Sequence, residues 1–232
     1  FIAAEDPRVS VKLLNHFEIK KPLVSYHAHN HVSAGQAILE RLLGGESCAL
    51  VTDAGTPAIS DPGEELVRLC AQHDVEVLSI PGCCAAVNAL AVSGLPTGRF
   101  TFEGFLTVNR KSRREHLESL KTEERTMIFH EAPHKLRTTL ADLRDTFGPD
   151  RQIALCRELT KLHEQTRRCT LAEAVDYYAE NEPKGEFVLV VAGAEKQEET
   201  TLSLEEAVDL VLERKAQGMR LKDAVRDVAA DT

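Results

Sequence analysis

Three short stretches concentrate turn-forming and polar residues: TDAGTPAISDPG from Thr52 to Gly63, PGCCAA from Pro81 to Ala86, and HEAPHK from His130 to Lys135. Each follows an apolar run that reads as a strand. All three would therefore lie at strand exits, where the loops of an open α/β sheet offer backbone N–H and C=O groups to ligands. Gly55 and Gly82 permit close backbone approach or positive φ. Asp53 and Asp61 can accept hydrogen bonds, and Asp61 reads equally well as a helix cap followed by Pro62 in the first turn. None of these loops has the GxGxxG or GxxxxGK[ST] arrangement, so dinucleotide and nucleoside-triphosphate readings lack their mechanical core.

Carboxylates that could carry chemistry stand at strand ends: Glu5, Asp6, Glu131, Glu158 and Glu186. Each also reads as a helix cap or salt-bridge partner. His27, His29 and His31 alternate in YHAHNH, but i, i+2 spacing without a matching Cys or Glu cluster does not make a metal site, and none is expected. A surface loop that meets a binding partner is the better reading, with Asn30 capping the next helix. Basic residues gather in an otherwise acidic chain at Arg110, Lys111, Arg113 and Arg114, and again at Arg157, Lys161, Arg167 and Arg168, with Lys135 and Arg137 extending the surface. A phosphate-facing surface would require such a concentration. A solvated helix face is the alternative.

The elements that must position these groups alternate along the chain. Strand-like runs cover Leu23–Tyr26, Ser47–Thr52, Val75–Ile80, Phe100–Phe105, Thr126–His130, Gln152–Cys156 and Phe187–Val191, with helical periodicity in most of the gaps. This is α/β layering, and unbroken apolar strands such as CALV and FVLVVA fit sheets covered on both faces. The SGLPTGR stretch, Ser93 to Arg99, is the expected hinge. It divides an N-terminal α/β domain, residues 1–96, from a C-terminal α/β domain, residues 97–195. Residues 196–232 follow as a helical tail with amphipathic segments at Leu204–Lys215 and Leu221–Ala230. FIAAEDP reads like the end of a strand, so an upstream segment, including a first strand, is expected to be absent from this chain.

Composition bounds the rest. The chain has 232 residues, 43% of them apolar, enough to fill a real core. A net charge of −9 argues against an overall basic nucleic-acid coat while leaving room for a local basic site. Six cysteines without CxxC spacing, two of them adjacent at Cys83 and Cys84, fit neither a disulfide framework nor a zinc site and point to a reducing cytoplasm. No run reaches the roughly 18 apolar residues of a membrane span, and membrane insertion and secretion are disfavoured.

Taken in order, FIAAEDPR, TDAGTPAISDPG, IPGCCAA, LPTGRFTFEGFL, IFHEAPHKL, CRELTKLHE and KGEFVLVVAG resemble the bacterial 16S ribosomal RNA 2'-O-ribose cytidine methyltransferases of the tetrapyrrole-methylase superfamily, from Phe1 to about Gly193. The resemblance implies a two-domain α/β tetrapyrrole-methylase-like fold. It would bind S-adenosylmethionine in the cleft between the domains and act as a homodimer on a decoding-region cytidine of 16S rRNA within the small ribosomal subunit. Carried over residue by residue, Glu5, Asp6 and Arg8 match a family EDTR near the reactive end, and Glu158 joins them as a catalytic candidate. The donor pocket would comprise Thr52, Asp53, Ala54, Gly55 and Thr56; Pro81, Gly82, Cys83, Cys84 and Ala85; Phe129, His130 and Glu131; and Leu155, Cys156 and Arg157, largely through main-chain atoms. Arg110, Lys111, Arg113, Arg114 and Lys161 would face RNA. Departures are Pro7 where Thr is usual, His130 where Tyr is common and Cys83 where Pro or a small residue is usual. The family's opening strand and PIGN turn are also lacking. Two alternatives share the fold. A tetrapyrrole methyltransferase is disfavoured because only 5% of residues are aromatic and the second half presents arginines. The other is a non-catalytic RNA-binding assembly factor.

Overall fold

The computed structural model describes residues 1–195 and 204–229. It separates into two compact units, Phe1–Ala194 and Glu195–Thr232. Within the first unit, β1 (Ile2–Ala4), β2 (Leu23–Ser25) and β3 (Ala49–Val51) form a parallel sheet in the order β2-β1-β3, with Ile2 opposite both Leu23 and Ala49. The crossover between β1 and β2 is α1 (Pro7–His16), and between β2 and β3 it is α2 (His31–Leu43). After β3, the TDAGTPAISDPG segment leads into α3 (Glu64–Gln72). Ala3, Tyr26, Ile38, Leu66 and Cys70 bury together as the core of this layer.

Val75–Ile80, expected as a strand, is not one: Val77, Leu78 and Ile80 are 50%, 73% and 84% exposed. A strand needs a neighbour to take its ladder hydrogen bonds, and among the described residues none pairs with this run. The chain then enters α4 (Ala85–Ser93), which ends at Gly94 in the left-handed conformation at φ 79°.

The larger sheet follows in the order β4-β5-β8-β6-β7: β4 (Phe100–Phe105), β5 (Thr126–Glu131), β6 (Gln152–Arg157), β7 (Gln165–Thr170) and β8 (Phe187–Val191). β4 runs parallel to β5; the remaining pairs are antiparallel. β8, apolar throughout, is central and wholly buried. One face packs beneath α5 (Arg110–Ser119), α6 (Pro133–Phe147) and α7 (Leu171–Glu180), with Leu117, Leu136, Leu140, Leu143 and Leu171 at its centre. Burying each of these leucines contributes about 2 kcal/mol. The other face is covered by α4 through Ala86, Ala89 and Leu90 against Ile128, Ala154 and Val190. The sheet is thus covered on both faces, as its unbroken apolar strands require. β7, with sequence QTRRCT, is an edge strand too polar for the apolar pattern to reveal.

Beyond residue 194, α8 (Leu204–Ala216) and α9 (Leu221–Val228) pack on each other, joined by an Arg214–Asp227 ion pair. The parts of the expected tail at residues 196–203 and 230–232 lie outside the described residues.

Candidate functional site

The exits of β1 and β3 lie side by side, and their loops are tied together. Glu5 N donates to Val51 O at 3.2 Å, and Asp53 N donates to the Glu5 carboxylate at 3.2 Å. Thr52 Oγ1 closes the turn on Ala54 O at 3.1 Å, and Thr56 Oγ1 donates to Cys83 O at 2.9 Å, joining the first glycine loop to the Pro81–Ala85 loop. Gly55 sits at φ 81°, and a Cβ there would meet only Cys83 O at 3.9 Å, so its role is conformational rather than steric. Gly63 needs both properties: at φ 148° its Cβ would fall 2.8 Å from Leu50 Cδ2. Ala58 and Ser60 on this loop, and Glu158 and Thr160 after β6, hold positive φ without being glycine, a local cost that clusters at functional loops.

The second turn of the glycine loop reaches the larger sheet. Ser60 Oγ lies 3.9 Å from where a Cβ would stand on Gly104, at the irregularity in β4. Asp61 does not cap α3; that position belongs to Gly63, and α3 has no side-chain cap. Asp61 instead faces a crowd of carboxylates. Burial, then Glu5, Asp53 and Glu186, push its pKa up to about 6. Glu186, at the entry of β8, is paired with Lys161 at 2.7 Å and still acts weakly on Asp61, so the first glycine loop and the entry of the larger sheet's central strand lie within electrostatic reach of each other. This arrangement can hold a cationic group and can accept a proton near neutral pH.

Asp6 and Arg8 form a closed unit. Asp6 caps α1 by accepting Arg8 N at 2.8 Å and holds the Arg8 guanidinium at 2.7 Å, which lowers its pKa to about 2. A carboxylate so stabilised is a poor base, and its partner Arg8 is engaged. Glu158 is similarly committed: Glu186 N donates to it at 2.9 Å and Lys161 Nζ at 3.0 Å, and these bonds depress its pKa. Lys161 also pairs with Glu186 at 2.7 Å. Gly185, at φ 80°, leaves room for the Glu158 carboxylate that a Cβ would strike.

Strand alternation sorts the remaining candidates by face. On β5, His130 shares the α4 face with Ile128, while Phe129 and Glu131 point into the other layer. His130 is packed edge-on by Phe102 and Phe105 at 5.2 and 5.4 Å, burial lowers its pKa, and its Nε2 is buried without a partner. Glu131 is 3% exposed and accepts from Ala132 N and Thr139 Oγ1. On β6, Cys156 lies under α4, whereas Leu155 is core and the Arg157 side chain emerges on the α7 side, its Nε donating to Lys184 O. The cleft therefore gathers Glu5, Asp53, Asp61, Thr56, the Cys83 loop and Glu186; the side chains of Phe129, Glu131 and Leu155 belong to the opposite layer. The sequence offered Asp61 as a hydrogen-bond acceptor or a cap, and His130 as a donor-pocket residue that departs from the family pattern.

Neither basic group is a continuous patch. Arg110, Lys111 and Arg114 are exposed on α5, but Arg113 is buried, its Nη2 donating to Thr139 Oγ1 at 2.9 Å and its Nε ionically paired with Asp142 at 2.6 Å off the line of a hydrogen bond. The expectation that Arg113 faces RNA is corrected accordingly: one residue in this helical run must turn inward. In the second group, Arg168 spans to the C-terminus of α4, donating to Ser93 O and Val92 O, while Arg167 lies on the other face of β7 against Tyr177. Asn30 occupies the N-cap position of α2 without capping it; its amide instead accepts His27 N and donates to Ser25 O.

The sequence pattern of the Tetrapyrrole (Corrin/Porphyrin) Methylases matches residues 1–175. The chain belongs to the tetrapyrrole methylase family. This methylase is 48% identical to ribosomal RNA small subunit methyltransferase I of Synechocystis sp., covering 100% of this chain and 83% of that one. The protein of the same name from Halalkalibacterium halodurans is also 48% identical, covering 99% and 80%. Among solved structures, diphthine synthase superimposes with a TM-score of 0.58 at 12% identity over 82% of this chain and 78% of that one. The Thermus thermophilus uroporphyrin-III C-methyltransferase complexed with S-adenosylhomocysteine does so with a TM-score of 0.52 at 16% identity, covering 82% and 84%. These likenesses establish the fold.

Proposed function

We propose that this chain is an S-adenosylmethionine-dependent methyltransferase that methylates the ribose 2'-oxygen of a cytidine in the decoding region of 16S rRNA. It would do so as a cytoplasmic homodimer acting on the small ribosomal subunit. The observation that carries this reading is the 48% identity, over the whole chain, to proteins named ribosomal RNA small subunit methyltransferase I. When bound, the donor supplies an electrophilic methyl group on a sulfonium. The cleft suits such a cation: Glu5, Asp53 and the partly buried Asp61 act on one another there, and the buried Nε2 of His130 has no partner within the chain. The loops at Thr52–Thr56 and Pro81–Ala85, linked through Thr56 and Cys83, would orient the donor so that its methyl lies about 3 Å from the attacking oxygen.

Asp61 takes the proton of the ribose hydroxyl in this reading. Asp6 is stabilised as an anion by Arg8, and Glu158 by the Glu186 N–H and Lys161, whereas Asp61, partly buried and repelled by Glu5, Asp53 and Glu186, gains from protonation. The sequence-based candidates Asp6, Arg8 and Glu158 then act as fixed scaffolding at the rim. Calorimetry with S-adenosylmethionine, followed by transfer of labelled methyl to small-subunit particles, tests the function. Saturable donor binding with label entering 16S rRNA supports it; label entering only a small molecule, or no donor binding, overturns it.

A further inference from the structure

Across the larger sheet from α4, a cavity of about 270 Å³ opens at the end of β6 and the starts of β7 and β8, bounded by Arg157, Gln165, Tyr177, Tyr178, Asn181 and Lys184. Resting on the rRNA reading above, we propose that it seats one nucleotide of the single-stranded RNA substrate, outside the methyl-transfer cleft. Its walls supply the recognition chemistry such a unit needs. Gln165 and Arg157 are directly opposed on β7 and β6, and alternation puts Arg167 on the same face. Arg167, beside the cavity, stacks over the Tyr177 ring at 3.6 Å and holds it in place. Tyr177 and Tyr178, which line the cavity, offer an aromatic platform on which a base of any identity stacks.

The platform is rigid. Tyr177 meets Tyr178 edge-on at 4.9 Å, and Tyr178 meets Phe187 at 5.7 Å. Arg157 is anchored by its Nε on Lys184 O, and Lys184 itself is 71% exposed at its side chain, loosely paired with Glu182, the acid of the lining, at 3.8 Å. The negative C-terminal end of α7, which would repel a phosphate, is covered by Arg137, which donates to Tyr178 O at 2.6 Å. The amides of Gln165 and Asn181 can address a base edge. The volume falls just below the roughly 300 Å³ at which pockets for free small molecules begin, and suits one unit of a longer chain. Arg157 and Lys184 directly precede Glu158 and Gly185–Glu186 at the cleft rim, so RNA seated here runs toward the donor site.

Filter binding of a short single-stranded oligoribonucleotide over a salt series, with the full chain, tests the assignment. Lys184→Glu should weaken binding several-fold and lower the log-log salt slope by about 0.7 per lost phosphate contact. Tyr177→Leu should weaken it about tenfold with no change in slope, since stacking carries no counterion release. Ultraviolet crosslinking of a 4-thiouridine oligomer should label peptides containing residues 165–187. Calorimetry with S-adenosylmethionine should be unchanged in both variants, which separates this site from the cleft and a folding defect from a binding one. Unchanged affinity in both variants, with crosslinks confined to α5, overturns the pocket while leaving the rRNA reading intact. Cytidine monophosphate binding as tightly as the oligomer overturns the assignment to RNA in favour of a free-nucleotide site. Donor binding with no RNA affinity in any form removes the rRNA reading, and this inference with it.

Discussion

At the scale of single residues, the cleft's chemistry rests on electrostatic cost. Asp61 has its pKa raised from 3.8 to about 6, so the folded chain holds its proton more tightly than the unfolded chain does. The resulting penalty is fully present above about pH 6 and vanishes below about pH 4. Solvent at this partly exposed turn screens it to about 1 kcal/mol. Asp61→Asn should therefore be more stable than the parent at pH 7, by about 1 kcal/mol in urea unfolding, with the gap closing as the pH falls to 4. The same variant should lose about 10²-fold or more in methyl transfer, and the parent's kcat/KM should rise with pH through about 6. A variant stabilised but fully active would remove Asp61 from the chemistry. His130 makes the parallel case. Its buried, unpartnered Nε2 costs about 1 kcal/mol, so His130→Phe should stabilise the unliganded chain and weaken donor binding in calorimetry.

Elements decide which charges are available. The periodicity of NRKSRREH makes α5 legible, and Asn109 caps it as the pattern requires, accepting from Lys111 N and Ser112 N at 3.1 Å. Which arginine turns inward depends on the distant partners Thr139 and Asp142 on α6, and no local signal marks it. Arg113→Ala should destabilise by about 2 kcal/mol, because it removes a buried guanidinium and leaves Thr139 and the half-exposed Asp142 without it, whereas replacing Arg110, Lys111 and Arg114 together should change stability by less than about 1 kcal/mol. Thermal unfolding of the two variants checks the split. The strands β5, β6 and β8 were readable because their apolar runs suit a sheet covered on both faces, and β4, FTFEGF, because its phenylalanines recur. β7 was hidden by its two arginines, each of which has a use on its own face. Val75–Ile80 failed the other way: its composition suits a strand, but the ladder it needs is not among the described residues. Asp61 illustrates the limit at the site, since its neighbours Glu5, Asp53 and Glu186 come from three separate segments.

For the whole molecule, the account predicts assembly as well as chemistry. Leu13 and Phe17 on and beside α1 and Val32 on α2 are 58%, 61% and 75% exposed, apolar side chains of the kind a second copy would cover. Sedimentation should give a dimer mass; a concentration-independent monomer would contradict the proposed homodimer. RNA affinity should fall steeply with salt, and replacing Arg110, Lys111 and Arg114 with Ala should reduce the slope while donor affinity stays constant. The central claim concerns where the methyl group goes. Incubating the chain with S-adenosylmethionine and small ribosomal subunits, digesting the 16S rRNA to nucleosides and separating them by mass-resolved chromatography would place it directly. The account predicts 2'-O-methylcytidine from the decoding region, absent when Asp61 is replaced by Asn. Methyl found on a base, on another nucleoside or on no RNA at all would contradict it.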